Sequence, residues 1–130
     1  MNNRNTIQRQ LVLETVRSMH SHPDADQIYS AIVKDHPHVS KATVYRNLNL
    51  LAEQGQIKKV NVSEGADRFD FRTDKHHHMR CRECGRLWDA PDGAANITLT
   101  GNTGGFSVED IRIELVGTCP DCKRNKNSEV

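Results

Sequence analysis

Two kinds of metal-binding side chain crowd into one short stretch, DKHHHMRCREC, which spans residues 74–84. It contains three consecutive histidines and the first of two C-x-x-C pairs. The four cysteines of the chain are Cys81, Cys84, Cys119 and Cys122. Two such pairs can close a tetrahedron of thiolates around Zn²⁺, and a full shell of cysteines leaves no open position for chemistry. We therefore predict a structural zinc site.

A C-x-x-C pair can also act as a redox-active dithiol. That role needs one pair at the start of a helix within a βαβ unit, and the residues that flank Cys81 and Cys119 do not offer this context. Neither a signal peptide nor an apolar stretch long enough to span a membrane can be read from the sequence. We therefore predict a cytoplasmic protein, and cysteines in a reducing compartment are more often metal ligands than disulfides.

The histidines would overfill the zinc site and need a separate explanation. Along a strand, His76 and His78 project to one face and His77 to the other, which makes His76 and His78 a natural ligand pair. Asp70 and Asp89 are carboxylates that could approach the same face. Imidazoles and carboxylates without sulfur suit Fe²⁺ or Mn²⁺, although the Irving–Williams order also admits Zn²⁺. The alternative is a solvated strand of exposed histidines, and the neighbouring carboxylates favour the metal site.

The N-terminal part is predicted to be helical, because its apolar residues recur at helical spacing. The predicted helices run from Thr6 to about His20, from an N-cap at Asp24 to just before His36-Pro37, and from an N-cap at Ser40 to Gly55. Strand patterns follow at residues 57–62 and 68–72, with a turn between them. Three helices followed by a hairpin is the order of a winged helix, whose third helix enters the DNA major groove.

The charge distribution is compatible with a nucleic-acid partner for this part. Residues 1–62 carry 8 Lys/Arg against 5 Asp/Glu, whereas the remainder carries 10 against 12. An ordinary solvated helical face would explain this modest excess equally well, and the order of the elements favours DNA. The predicted DNA-binding residues are Arg4, Arg9, Ser40, Lys41, Thr43, Tyr45, Arg46, Lys58 and Lys59. One winged helix covers one half-site, so we expect a homodimer on a palindromic operator in double-stranded DNA.

The C-terminal half is different in character. It contains strand-like pieces at residues 76–80, 86–89 and 111–116, and a stretch rich in Gly, Thr and Asn at 93–105 that has no readable periodicity. Only 35% of the chain is hydrophobic and 5% aromatic. A core of this size needs support, which a structural metal or a dimer interface can supply.

Six segments resemble, in order, the signature segments of the ferric uptake regulator (Fur) superfamily of bacterial metal-dependent repressors. They are QRQLVLETV, HPDADQIY, VSKATVYRNLNLLAEQGQI, DRFDF, HHHMRCRECGRLWD and GTCPDC, and they cover nearly the whole chain. The resemblance implies an α+β protein with an N-terminal winged-helix DNA-binding domain and a small C-terminal α/β dimerisation domain that holds structural zinc. We assign residues 1–72 to the first domain, 73–75 to a hinge, 76–124 to the metal-binding dimerisation domain and 125–130 to a disordered tail.

The resemblance also implies a regulatory site for Fe²⁺ or Mn²⁺. Carried over position by position, the ligands of the peroxide-sensing (PerR-like) branch fall on His22, Asp70, His76, His78 and Asp89. Iron-sensing relatives typically have glutamate at the positions of Asp70 and Asp89, so aspartate favours peroxide sensing. In that branch bound Fe²⁺ and hydrogen peroxide convert a ligand histidine, by analogy His22 or His76, to 2-oxo-histidine, and metal and DNA are released. The alternative is an iron sensor that responds to Fe²⁺ availability.

The sequence departs from the family pattern at several positions. Arg46 stands where some peroxide sensors carry asparagine, which would shift operator preference toward that of iron regulators. The 93–105 stretch replaces a usual helix, and no histidine near Ile111 is available for a further metal site. A metallo-hydrolase would need a separate general base and a substrate pocket, neither of which is readable. We predict no enzymatic activity, no organic cofactor and no membrane partner.

Overall fold

The chain folds into two compact units in a computed structural model that describes residues 3–128. The units are Met1–Asp74 and Lys75–Val130. The first contains α1 (Asn3–Ser18), α2 (Ala25–Val33), α3 (Lys41–Glu53), β1 (Lys58–Val60) and β2 (Arg68–Asp70), and the second contains β3 (His78–Cys81), β4 (Leu87–Asp89), β5 (Glu114–Gly117) and α4 (Pro120–Ser128). Within the described residues, every helix is too short or too polar to cross a bilayer.

The first unit is a three-helix bundle followed by an antiparallel hairpin, which is the predicted order of a winged helix. Its core is built from aliphatic side chains of all three helices, among them Val12, Val16, Ile28, Ile32, Val44, Leu48 and Leu51. Phe69 of β2 is also buried in this core, and it lies opposite Lys59 in the pairing of β1 with β2. The hairpin is therefore anchored to the helices by apolar burial.

Local capping decides where α2 begins and where α3 begins and ends. The Asp24 carboxylate accepts from the Gln27 N–H at 2.8 Å, and the Gln27 side chain accepts from the Asp24 N–H at 2.9 Å, which completes a capping box. The Ser40 hydroxyl accepts from the Thr43 N–H at 3.1 Å. Gly55, with a φ of 75°, follows α3 in the left-handed conformation that ends many helices. These three sequence signals are confirmed.

The structure differs from the sequence-based prediction at both ends of the chain. α1 begins at Asn3, so Thr6 lies inside the helix and not at its N-cap. Where a disordered tail is predicted from residue 125, α4 continues to Ser128. Its start favours a helix, because Pro120 has the right φ for the first position and Asp121 adds a negative charge in the first turn. Residues 129 and 130 of the predicted tail lie outside the described residues.

The second unit is built on a three-stranded sheet of order β4-β3-β5. β3 pairs antiparallel with β4 and parallel with β5. A largely buried ion pair supports the second pairing, because Arg80 Nε on β3 donates to Glu114 Oε1 on β5 at 2.8 Å. Residues 91–113, which connect β4 to β5, contain neither helix nor strand. The 93–105 stretch, whose periodicity is unreadable in the sequence, lies within this connection.

The capping box at α2 gives a direct stability test. We expect Asp24→Ala to lower the free energy of unfolding by about 1 kcal/mol, because the Gln27 N–H at the start of α2 loses its carboxylate acceptor. Urea denaturation measures this loss. Asp35→Ala removes an exposed carboxylate beyond the other end of α2 and should change stability by less than about 0.5 kcal/mol. Equal losses in the two variants would contradict the capping role.

Candidate metal centres and nucleic-acid interface

The four cysteine thiols come together in the second unit. Cys81 Sγ lies 3.7 Å from Cys122 Sγ, Cys84 Sγ lies 3.9 Å from Cys119 Sγ, and all four sulfurs lie within 4.8 Å of one another. A tetrahedron with Zn–S bonds of about 2.3 Å has edges of about 3.8 Å, whereas a disulfide needs sulfurs about 2.05 Å apart. The spacing therefore fits a Zn²⁺ ion held by four thiolates.

Strand β3 and helix α4 deliver the two cysteine pairs. Cys81 ends β3, and the tight turn after it is closed by the Gly85 N–H, which donates to the Cys81 carbonyl at 2.9 Å. Cys119 directly precedes α4, whose first turn carries Cys122. The N–H groups of Cys119 and Cys84 donate to the Cys81 sulfur at 3.4 and 3.5 Å, and they lower the pKa of that thiol to about 6. This environment favours the thiolate that metal binding requires.

The neighbouring thiols shift the pKa of Cys122 upward, opposite to the shift at Cys81. Its contact with the Cys119 thiol, together with burial, raises the pKa of Cys122 to about 12. Four thiolates this close repel one another unless a cation lies among them. The cluster is thus electrostatically suited to a divalent ion with a preference for sulfur ligands.

A buried imidazole and carboxylate, the N-terminal ligand pair, lie in the first unit. His22 Nε2 is 3.3 Å from Asp70 Oδ2, and the two side chains are 6% and 1% exposed. His22 has a φ of 54°, and the neighbouring backbone is held by β2, since Arg68 donates to the His22 carbonyl at 3.1 Å and Phe69 N–H to the Pro23 carbonyl at 2.8 Å. A left-handed residue of this size costs about 1–3 kcal/mol and persists only where its surroundings impose it. These hydrogen bonds therefore hold the loop in the conformation that places the His22 imidazole beside the Asp70 carboxylate.

Three side chains of the second unit form the C-terminal ligand triad. His76 Nε2 and His78 Nε2 lie 2.9 and 3.5 Å from the same oxygen, Asp89 Oδ1. Both imidazoles are nearly buried, and the carboxylate is 30% exposed. The antiparallel register of β3 and β4 places His78 directly opposite Asp89. His76 precedes β3, so the strand-face argument does not apply to it, yet the two imidazole centroids lie 4.5 Å apart.

The N-terminal ligand pair and the C-terminal ligand triad share one donor chemistry. Each combines imidazole Nε2 with carboxylate oxygen, without sulfur, which suits Fe²⁺ or Mn²⁺. His77 takes another role, because its carbonyl accepts from the Ala90 N–H at 2.9 Å. In the part of the chain that the structure describes, His77 belongs to no group of clustered metal-ligating side chains.

The predicted DNA-contacting residues lie on elements of the first unit. Arg4 and Arg9 are on α1, Ser40 caps α3, Lys41, Thr43, Tyr45 and Arg46 are on α3, and Lys58 and Lys59 are on β1. The hydroxyls of Ser40 and Thr43 lie 2.8 Å apart within the helix cap. Lys41, Tyr45 and Arg46 are exposed. The first two turns of α3 thus present two cations and one aromatic side chain.

Asp26 and Asp67 contact the predicted DNA-contacting residues. No motif in the sequence marks these two carboxylates. Asp26 accepts from the Tyr45 hydroxyl at 2.5 Å and lies 3.0 Å from Lys41 Nζ, while Asp67 lies 3.8 Å from Lys59 Nζ. The Tyr45 hydrogen bond and the Lys41 ammonium lower the pKa of Asp26. The same carboxylate raises the pKa values of Lys41 and Tyr45. An aspartate in the first turn of α2 is already favoured by the helix dipole, so its contact with α3 leaves no separate signal.

The chain is similar in sequence and in structure to one family of known proteins. The model of the Ferric uptake regulator family matches residues 1–116. The Peroxide-responsive repressor PerR of Staphylococcus epidermidis is 36% identical over 124 residues, which are 94% of this chain and 83% of that protein. The solved Campylobacter jejuni peroxide stress regulator is 29% identical with a TM-score of 0.70, over 92% of this chain and 91% of that one.

A more distant structure shares the fold. The Helicobacter pylori ferric uptake regulator Fur is 19% identical with a TM-score of 0.70, over 89% of this chain and 79% of that one. Together these likenesses confirm the predicted α+β class, with a winged-helix domain followed by a dimerisation domain.

The cysteine cluster predicts the metal content of the purified protein. Elemental analysis should find one zinc per chain, and the double variant Cys81→Ser/Cys119→Ser should contain none, because only two thiolates remain. His78→Ala, which alters only the C-terminal ligand triad, should keep its zinc. Zinc retained in the double cysteine variant, or lost from His78→Ala, would contradict this assignment.

Proposed function

The chain belongs to the ferric uptake regulator family, and on that premise we propose that it is a metal-dependent, DNA-binding transcriptional repressor that senses hydrogen peroxide. The observation that carries the proposal is the sulfur-free donor set, in which both carboxylates are aspartates, Asp70 and Asp89. The similarity to a Peroxide-responsive repressor over most of both chains supports it. The repressor would act in the cytoplasm as a homodimer on a palindromic operator.

One Fe²⁺ or Mn²⁺ ion is proposed to take ligands from the N-terminal ligand pair and the C-terminal ligand triad together. The pair belongs to the unit that carries α3, and the triad belongs to the other unit. An ion bound by both would fix the orientation of one unit relative to the other. The loaded and metal-free states would then differ by a defined set of contacts, which an allosteric mechanism requires.

The four-cysteine site has a different role in this proposal. A closed thiolate shell supplies folding energy and no reactive position. Zinc would hold the end of β3, which carries Cys81, to the start of α4. Since β3 also carries His78, the zinc site would stabilise the strand that positions part of the regulatory site.

Histidine oxidation is the proposed sensing step. Bound Fe²⁺ would supply the redox chemistry by which hydrogen peroxide transfers one oxygen atom to an imidazole carbon, with water as the other product. His22 and His76 are the proposed targets, and their side chains are only 6% and 3% exposed, so a small oxidant has the best access to them. The 2-oxo ring would be a poorer ligand, and the metal and then the DNA would be released. Each event would consume one site, so the protein would act as a sensor without catalytic turnover.

The shared-ion proposal can be tested through Trp88, the single tryptophan of the chain, which precedes Asp89 on β4. Mn²⁺ binding should change Trp88 fluorescence, and His22→Ala should weaken the apparent Mn²⁺ affinity at least about tenfold although His22 lies in the other unit. His38→Ala removes an exposed histidine of the first unit and is the matched control. An unchanged Mn²⁺ affinity in His22→Ala would mean that the triad binds the ion alone.

The sensing step is tested by mass spectrometry of the Fe²⁺-loaded protein after exposure to low peroxide. We expect the gain of one oxygen atom on His22 or His76, and no gain when Mn²⁺ replaces Fe²⁺. Asp89→Glu should keep Mn²⁺-dependent DNA binding and lose most of the histidine oxidation. If the histidines stay unmodified while DNA binding follows the iron concentration, the protein is an iron sensor instead.

A further inference from the structure

We propose that Asp26 determines DNA specificity by holding two residues of α3 at once, Lys41 in an ion pair and Tyr45 in a hydrogen bond. Asp26 lies in the first turn of α2, and both partners lie in the first two turns of α3. The inference rests on the proposed DNA-binding function and assigns a role to a residue that lies beside the reading surface.

The three side chains form one compact cluster. Asp26 Oδ1 accepts from the Tyr45 hydroxyl at 2.5 Å and lies 3.0 Å from Lys41 Nζ. The Lys41 ammonium also lies 5.9 Å from the centroid of the Tyr45 ring, within the range of a cation–π contact. Each member therefore restricts the other two. The hydroxyl of Tyr45, a residue that is 36% exposed, is thereby held at a defined position.

The ion pair is weak enough to be exchanged. The side chains of Lys41 and Asp26 are 55% and 64% exposed, and ion pairs between solvent-exposed side chains contribute little to stability. A DNA phosphate can therefore displace the carboxylate from Lys41. Until that happens, the carboxylate cancels a positive charge on the surface that would otherwise attract any duplex, because non-specific binding depends almost wholly on phosphate contacts.

The Tyr45 hydrogen bond has a different consequence. A side chain that is already oriented loses less entropy when it binds a base edge or a sugar. This smaller entropy loss raises affinity only for DNA that places a hydrogen-bonding group opposite the side chain. Asp26 thus lowers affinity for every duplex through Lys41 and restores affinity for the operator through Tyr45. The combined effect is a larger ratio of operator to non-operator affinity.

A second lysine on the same surface provides an internal comparison. Lys59 lies 3.8 Å from Asp67 Oδ2 and donates to Asn49 Oδ1 at 3.1 Å. A groove of about 200 Å³ is lined by Asp26 and Tyr45 at α2 and α3 and by Lys59 and Asp67 at the hairpin. Asp67 neutralises a lysine just as Asp26 does, and among the described residues its carboxylate has no hydrogen bond or ion pair to α3. Its removal should therefore change affinity without changing specificity.

The test uses full-length Mn²⁺-loaded protein and two duplexes, the one that the wild-type protein enriches most strongly from a random pool and a scrambled duplex of equal composition. Affinities are measured over a range of salt concentrations. Asp26→Ala should bind the scrambled duplex more tightly, with a salt slope steeper by about 0.9, and should lower the affinity ratio roughly fivefold. Circular dichroism checks that this exposed substitution leaves the fold intact.

Three further variants separate the two effects, and a fourth is a control for net charge. Asp26→Asn keeps an acceptor for Tyr45 and Asp67→Asn leaves Tyr45 untouched, so both should steepen the salt slope and preserve the affinity ratio. Tyr45→Phe should lower the ratio without raising affinity for the scrambled duplex. Asp35→Ala removes an exposed carboxylate beyond the C-terminal end of α2, more than about one Debye length from Asp26, and should change neither quantity.

The outcomes distinguish this inference from the function on which it rests. If the wild-type protein enriches no duplex, the proposed function fails and the role of Asp26 fails with it. If the wild-type protein selects a duplex and Asp26→Ala keeps the wild-type affinity ratio, the role of Asp26 is overturned and the repressor function stands. A ratio that falls equally in Asp35→Ala would also overturn it, because the effect would then be one of net charge.

Discussion

The burial of imidazole and carboxylate groups away from water is the constraint on which the rest of the structure depends. Asp70 is 1% exposed and its partner His22 6%, in a chain whose apolar core is small. Replacing such a polar pair with apolar residues of similar volume is often neutral or stabilising, so stability alone does not account for it. The left-handed backbone of His22 adds a second local cost at the same place. Two energetic costs at His22 indicate that its position serves a function. Binding a metal ion through nitrogen and oxygen ligands is such a function.

Secondary structure in each unit is arranged to meet that demand. β2 places Phe69 in the helical core and Asp70 beside His22. The strand that is anchored by apolar burial therefore also carries a candidate metal ligand. β3 begins with His78 and ends with Cys81, and it therefore links a member of the C-terminal ligand triad to the four-cysteine cluster. The stretch DKHHHMRCREC, which reads as one dense set of ligands, is divided by this strand into donors of unlike chemistry. The imidazoles of His76 and His78 lie beside Asp89, whereas the thiols of Cys81 and Cys84 lie beside those of Cys119 and Cys122.

The sequence predicts those features whose signals are local or chemically exclusive. The cap residues Asp24 and Ser40 mark the starts of two helices, and paired C-x-x-C motifs have few interpretations besides a metal. Contacts between separate elements leave no such signal. Asp26 and Tyr45 are 19 positions apart in the sequence and lie on different helices, so only the packing of α2 on α3 brings them together. His76 illustrates the same limit, since it meets His78 from a loop and not from the strand that alternation predicts.

In the proposed function, one regulatory ion takes its ligands from both units. The most direct measurement is a crystal structure of the Mn²⁺-loaded protein with anomalous scattering recorded at the manganese edge. We expect a single manganese peak per chain, apart from zinc, bonded to His22 and Asp70 as well as to His76, His78 and Asp89. A manganese peak bonded to the ligands of one unit alone, with the other set at a distance from it, would rule out a shared ion.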